Sequence, residues 1–222
     1  MTLEEAIAKI KPLDHNAMEI AQKRWDSIAK PLHSLGKLET LLIQIAGITG
    51  NAEVDLSRRG LIAMCADNGV VEEGVTQTGQ EVTAIVAENF LKYDTSVGVM
   101  CKQNHAEIFP VDMGMVTDTK VRTDHKIAYG TQNMTKGPAM TREQAVKGLE
   151  AGIDMVRELN DKGYRILATG EMGIGNTTTS SAVASVLLGE DPKVMTGKGA
   201  GLTKKGLQKK VQVIREAVER MQ

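Results

Sequence analysis

The sequence predicts an α/β fold, a parallel sheet flanked by helices, with a small helical subdomain at its N-terminal end. Three observations carry that reading. From Gly60 onward, short apolar runs each finish on an acid beside a glycine: LIAMCADNG at Asp67, AEIFPVDMG at Asp112 and YRILATGEMG near Glu171. Stretches with apolar residues at helical spacing lie between these runs, and strand alternating with helix means parallel strands joined by crossovers. Residues 1–50 carry helical spacing alone. The expected division is a helical N-terminal subdomain over 1–50 and the α/β domain over 51–222.

Taken in order, LEEAIAKI, HNAMEIAQKRWDSIAK and, after Pro31, LGKLETLLIQIAGI read as helices. Trp25 shares an apolar stripe with Ile20, Ala21 and Ile28, so it is expected to anchor packing rather than to stack on a ligand. The α/β part follows with helices over Glu81–Leu91, Ser96–Gln103 and Thr141–Leu159, the last opened by a capping signal at Thr141, Glu143 and Gln144. The stretch Tyr164–Ser180 reads as a buried strand over Arg165–Ala168 and a glycine-rich turn (Gly170, Gly173, Gly175) that carries Glu171. A helix capped at Asn176 comes next. A last helix starts near Thr203, behind Gly197, Gly199 and Gly201.

The chain has 222 residues and a net charge of −1, with basic residues spread along it, which does not suggest a nucleic-acid footprint and favours a small anionic ligand. One cluster stands out near the end. Lys204, Lys205 and Lys209 read as a solvated helix face, whereas Lys210, beside Val211 and Ile214, reads as a ligand contact. Cys65 and Cys101 have neither CxxC nor metal-ligand spacing, so free buried thiols in a reducing cytoplasm are expected. No secretory signal opens the chain and no apolar run approaches the ~20 residues of a bilayer span, so a soluble protein is expected, with no membrane partner. No metal is expected, because no His, Cys or carboxylate set has ligand spacing, and no cofactor.

Parallel sheets bind ligands outside the C-terminal ends of their strands, which would bring Asp67, Asp112 and Glu171 to one face. An acid and glycine after a strand are also ordinary turn chemistry, so each acid taken singly leaves both readings open. Glycines at 170–175 let backbone approach a phosphate, the following helix start presents unpaired N–H groups, and Asn176, Thr177 and Thr178 add donors. The glycine loop before Lys210 reads as a second phosphate grip. Neither loop has Walker A spacing or a GxGxxG with its downstream acid, so NTP hydrolysis and NAD binding are poorly supported.

Read together, KPLHSLGKLE (30–39), MCADNGVVEEGVT (64–76), GTQNMTKGPAMTREQA (130–145), GEMGIGNTTTSSA (170–182) and TGKGAGL (196–202) resemble the nicotinate-nucleotide:dimethylbenzimidazole phosphoribosyltransferase family. The resemblance implies a Rossmann-like domain, a helical domain built from both chain ends, and a homodimer. It implies transfer of the phosphoribosyl group of nicotinate mononucleotide to 5,6-dimethylbenzimidazole, giving nicotinate and α-ribazole 5′-phosphate, the lower-ligand nucleotide of cobalamin. Gly173, Asn176, Thr177, Gly199 and Lys210 fall on positions resembling phosphate and ribose contacts, and Thr78 and Val86 on the base pocket. Asp67 joins the substrate-binding set, since its DNG loop is one of the matching segments.

Two substitutions depart from the pattern. His33 stands where the family usually has glycine, and Val86 where some members carry a Gln facing the base, which leaves the preferred base open. The family's proton-accepting glutamate lies in a Gly-rich segment beyond Gln222, so Glu171 is expected to be a supporting carboxylate. VQVIREAVERMQ reads as a helix without a C-cap, and a fragment or truncated form is expected. A catalytically silent mononucleotide-binding module, or a subunit completed by a second chain, is the other class open.

Overall fold

The structure, a computed structural model, describes residues 1–220. The end of the last helix, which the sequence carries to Gln222, lies outside the described residues. The chain divides into two compact units, Met1–Arg58 and Arg59–Gln222.

The first unit is helical. A Thr2–Glu5 capping box opens α1 (Leu3–Ala8), and the Asp14 carboxylate accepts from the Ala17 N–H to open α2 (His15–Ser27). α3 (Lys37–Thr49) ends on Gly50 at φ 65, in the left-handed conformation usual for that position. Buried positions are small, with Ala17 and Ala21 on α2 and Ala46 and Gly47 on α3. The link between these helices is closed by Lys30 and the buried Glu39, 2.9 Å apart, and Glu39 also accepts from the Leu35 N–H. His33 in that link has φ 59, a conformation that costs a Cβ-bearing residue and that glycine adopts freely. The stripe expected around Trp25 is corrected: Ile20 and Ile28 are exposed, because α2 buries its alanines instead, and Trp25 is half-buried beside a cavity of about 650 Å³.

The second unit is the α/β part. Its sheet has the order β2-β1-β3, all parallel, with β1 (Arg59–Ala66) between β2 (Ala106–Gly114) and β3 (Ile166–Met172). Side chains alternate across β1, so the two sheet faces draw different partners. Ala63 and Cys65 meet Ala84, Ala87 and Phe90 of α4 (Glu81–Phe90), with Val97 of α5 (Ser96–Gln103) beside them. Ile62 packs with Val111 against Met155 and Leu159 of α6 (Arg142–Asp161). The Thr141–Gln144 capping box predicted from sequence opens α6. Helices therefore flank both faces of the parallel sheet. Among the described residues, no helix is long and apolar enough to cross a membrane.

This order fixes where a ligand can sit. The chain leaves β1 toward β2 on one side and returns through α6 to β3 on the other, so connections diverge between β1 and β3. Their carboxyl ends form the crevice of a topological switch point. The DNG loop after β1 and the turn 173–175 after β3 border it.

Three expectations about β3 are corrected. The strand covers 166–172 rather than 165–168, so Gly170 and Glu171 are strand residues paired with Ala63 and Met64 instead of turn residues. It is an edge strand with Ile166, Ala168 and Thr169 exposed, where a buried strand was expected; an apolar run fixes strand type but not strand position. Asn176 is not the cap of α7 (Asn176–Leu188). Gly175 takes that place at φ 91, and the Asn176 amide is drawn to Glu171. α8 (Pro192–Met195) and α9 (Lys204–Arg220) complete the unit, the Thr203 hydroxyl accepting from the Gly206 N–H at the start of α9.

Candidate active site

The crevice turn is held by side chains far away in sequence. The Ile174 N–H donates to the Thr83 hydroxyl at 3.0 Å, and the Ile174 carbonyl accepts from the Asn68 amide at 3.1 Å. Asn68 is fixed in turn, its side-chain oxygen accepting from Thr179 and its carbonyl from Gln80. Gly173 is the tightest point. A Cβ there would stand 2.1 Å from the Ala66 carbonyl oxygen, so the two strand ends approach closely only because this residue is glycine. We expect Gly173→Ala to cost about 1–3 kcal/mol, read as a lower midpoint in urea unfolding, since the obstructing atom belongs to the backbone of the central strand.

Behind this turn lies a cavity of about 110 Å³. Thr78, Gly173, Asn176, Thr177, Gly199 and Lys210, six positions expected from sequence to bind substrate, all line it. The remaining wall includes Gln77, Lys198 and Ala200. Lys210 is its centre. Only 1% exposed, it donates from Nζ to the Thr177 hydroxyl at 2.6 Å and to the Gly197 carbonyl at 3.3 Å. An ammonium has three N–H donors, so one is left for a ligand. Among the described residues no carboxylate lies within ion-pair distance of it, and burial pushes its pKa down. The N–H groups of Thr177, Gly199 and Ala200 meet no acceptor in the described chain. A buried cation without a counter-charge, among free backbone donors at a helix start, has the chemistry to receive an anion. Gly199, at φ 57, keeps it open, because a Cβ there would stand 2.8 Å from the Thr177 hydroxyl and 3.4 Å from Lys210 Nζ.

The acids occupy different places. Glu171, exposed at the end of β3, accepts from the Asn176 Nδ2, and Asn176 itself lines the cavity. Partial desolvation pushes the Glu171 carboxyl up, and the Asn176 amide offsets part of that. Asp67 is fully buried. Its carboxylate accepts from the Val116 N–H, its N–H donates to the Gly114 carbonyl and its own carbonyl accepts from the Thr131 N–H, so it ties three segments together outside the cavity lining. Burial raises its pKa, the Thr83 hydroxyl and the Val116 N–H pulling the other way. Asp112 is taken up by the Gly114 and Met115 N–H groups and by Lys126, 3.2 Å away. All three carboxylates act on Cys65, whose buried thiol is pushed up to about 12, by desolvation first and then by Glu171, Asp112 and Asp67. Val86 is placed elsewhere, on α4 against the core beneath β1.

The phosphoribosyltransferase family designated DBI_PRT matches residues 10–222. The chain belongs to this family. Among similar proteins, the nicotinate-nucleotide–dimethylbenzimidazole phosphoribosyltransferase of Ruminiclostridium cellulolyticum is 51% identical over 221 residues, covering 99% of this chain and 63% of the relative. That of Clostridium tetani is 46% identical over 219 residues, covering 98% and 60%. The crystal structure of CobT from Thermus thermophilus superposes with a TM-score of 0.83 at 34% identity, over 93% of this chain and 63% of that one. The chain thus spans about three fifths of the length of these DBI_PRT relatives.

Sequence reasoning missed the DBI_PRT residues that build the crevice without carrying a motif of their own: Asn68, Thr83, Thr131 and Gln77. Thr131, whose hydroxyl accepts from the Gly69 N–H, reaches across 62 residues, and Gln77 across 124. Asn68 and Thr131 had a signal, since they sit inside the matching segments at 64–76 and 130–145.

Proposed function

We propose that the protein transfers the phosphoribosyl group of nicotinate mononucleotide to 5,6-dimethylbenzimidazole or a related base, releasing nicotinate and forming α-ribazole 5′-phosphate. The observation that carries this reading is the unpaired Lys210 ammonium buried at the switch-point crevice. In this reading Lys210, the Thr177 hydroxyl and the N–H groups around Gly199 hold the 5′-phosphate, and Gly173 and Asn176 border the ribose. As the C1′–N bond to nicotinate breaks, positive charge develops on the ribose, and the Glu171 carboxylate, oriented by Asn176, stabilises it. Thr78, which lines the cavity, stands toward the incoming base; Val86 lies on α4 against the core and Asp67 outside the cavity lining, so neither is given a contact with substrate.

The incoming imidazole nitrogen must also lose a proton to a carboxylate. No acid lines the cavity among the described residues. We assign that base to the part of the relatives' length that this chain does not span, and Glu171 to the supporting role. The reading extends to a homodimer in the cytoplasm. Leu32, Leu38, Leu41 and Ile48 exposed on the helical unit, and two free cysteines, support it.

Incubation with nicotinate mononucleotide and 5,6-dimethylbenzimidazole, followed by chromatography, tests the proposal. The mononucleotide should bind, and α-ribazole 5′-phosphate should appear slowly. Turnover typical of a complete enzyme, at 1 s⁻¹ or more on the order of ordinary kcat values, would contradict the assignment of the base. Absence of both binding and product would contradict the function.

A further inference from the structure

The glycine loop 197–201 forms one wall of the anion seat, and its own sequence gives it little to stay closed with. Gly199 and Gly201 have φ 57 and 106. The loop closes on itself through the Gly201 and Leu202 N–H groups, both donating to the Lys198 carbonyl, at 3.3 and 3.0 Å. Two side chains hold it from outside. Lys210 reaches Gly197 at its start, and Gln77 donates from Nε2 to the Gly201 carbonyl, 2.8 Å away, at its end. Gln77 comes from the opposite wall, where Val75 is buried and the Thr76 hydroxyl donates to the Thr78 carbonyl to turn the strap. Lys210 holds the start of the loop and keeps its third N–H for the anion, which leaves Gln77 as the clasp that joins the strap at 76–78 to the end of the glycine loop.

We infer that Gln77 is a positioning residue: by holding the Gly201 carbonyl it keeps the glycine loop closed over the phosphate of the bound nucleotide. This deepens the reading of the cavity as a phosphate seat and rests on it. The residue itself is exposed, so its loss removes one cross-wall hydrogen bond without opening the core.

Two measurements on the 222-residue chain test this, one needing no ligand. In the unliganded protein, Gln77→Ala should speed hydrogen exchange at the Gly201 and Leu202 amides by about 3- to 10-fold, the range one net hydrogen bond supports, leaving the α6 amides unchanged. The same variant should weaken nicotinate mononucleotide by a similar factor, leave nicotinate riboside unaffected, and keep its melting temperature. Gln77→Lys restores a donor and should recover part of the affinity, whereas Gln77→Glu sets a carboxylate against a carbonyl and should lose more than alanine does. Unchanged exchange at 201 and 202 overturns the clasp whatever the ligand data show. Faster exchange with unaltered mononucleotide affinity overturns its role in positioning the phosphate. If the unaltered chain binds no mononucleotide at all, the phosphate seat falls and the positioning role with it, while exchange still decides the contact.

Discussion

Replacing Lys210 with methionine is expected to make the unliganded protein more stable and to remove most of its affinity for nicotinate mononucleotide. The two effects share one cause. The ammonium is buried with two neutral partners and no counter-charge, a cost that methionine, of similar length and apolar, does not carry. A gain of about 1–3 kcal/mol follows from what replacing buried charge by packed apolar groups yields elsewhere, offset in part by the loss of the bond to Thr177. The pH dependence gives the sign. The pKa of Lys210 in the folded chain lies below its ordinary 10.5, so the unfolded chain holds more protons in the window between the two, and the stability of the unaltered protein rises with pH there. The gap to Lys210→Met should be full below the lowered folded pKa and close as pH rises toward 10.5. Affinity for the phosphate-bearing ligand should fall about 10- to 100-fold, the value of a charge-assisted hydrogen bond in a partly dry site. Thermal melts across pH and titration calorimetry read both effects.

Glu171→Gln should spare binding and reduce turnover. A carboxylate that stabilises charge only as the glycosidic bond breaks contributes to the transition state alone, so nicotinate release should slow by about 10²- to 10³-fold with little change in mononucleotide affinity. Release by the unaltered chain should also fall as acid protonates Glu171, at a pH above the ordinary 4.5 because desolvation holds this pKa up. The stability sign is the reverse of the usual carboxylate case. The folded pKa is raised above 4.5, so the contribution of the protonated form is full below 4.5 and lost as pH rises through the raised value. The glutamine variant escapes that loss. It should therefore be the more stable protein at neutral pH, with the difference vanishing in acid. Equal nicotinate release by both proteins would remove Glu171 from the chemistry.

Local rules carried the elements they govern. The capping signal at Thr141 and Gln144 is satisfied by residues three apart, and helix α5 spans Ser96–Gln103 as its spacing predicts. The strand ends marked by an acid and a glycine are real ends, yet Asp67 and Asp112 turn inward to backbone N–H groups while Glu171 faces solvent. Nothing in an acid followed by glycine distinguishes those outcomes, because the partners lie on other segments. The shared cavity wall of Thr177, Gly199 and Lys210 was legible, since glycine loops and a lysine on an apolar stripe mark their places locally. The edge position of β3 was not, as it depends on the sheet order, nor was the clasp at Gln77, which is defined by a carbonyl 124 residues away.

The central claim is that the Lys210 cavity recognises the phosphate of a mononucleotide. Calorimetric titration of nicotinate mononucleotide and of nicotinate riboside into the unaltered chain and into Lys210→Met tests it as a two-by-two comparison. The account predicts that the mononucleotide binds the unaltered chain at least about 10-fold more tightly than the riboside does, and that this preference disappears in the variant. Equal affinity of the two ligands for the unaltered chain, or a phosphate preference that survives the loss of Lys210, would contradict it.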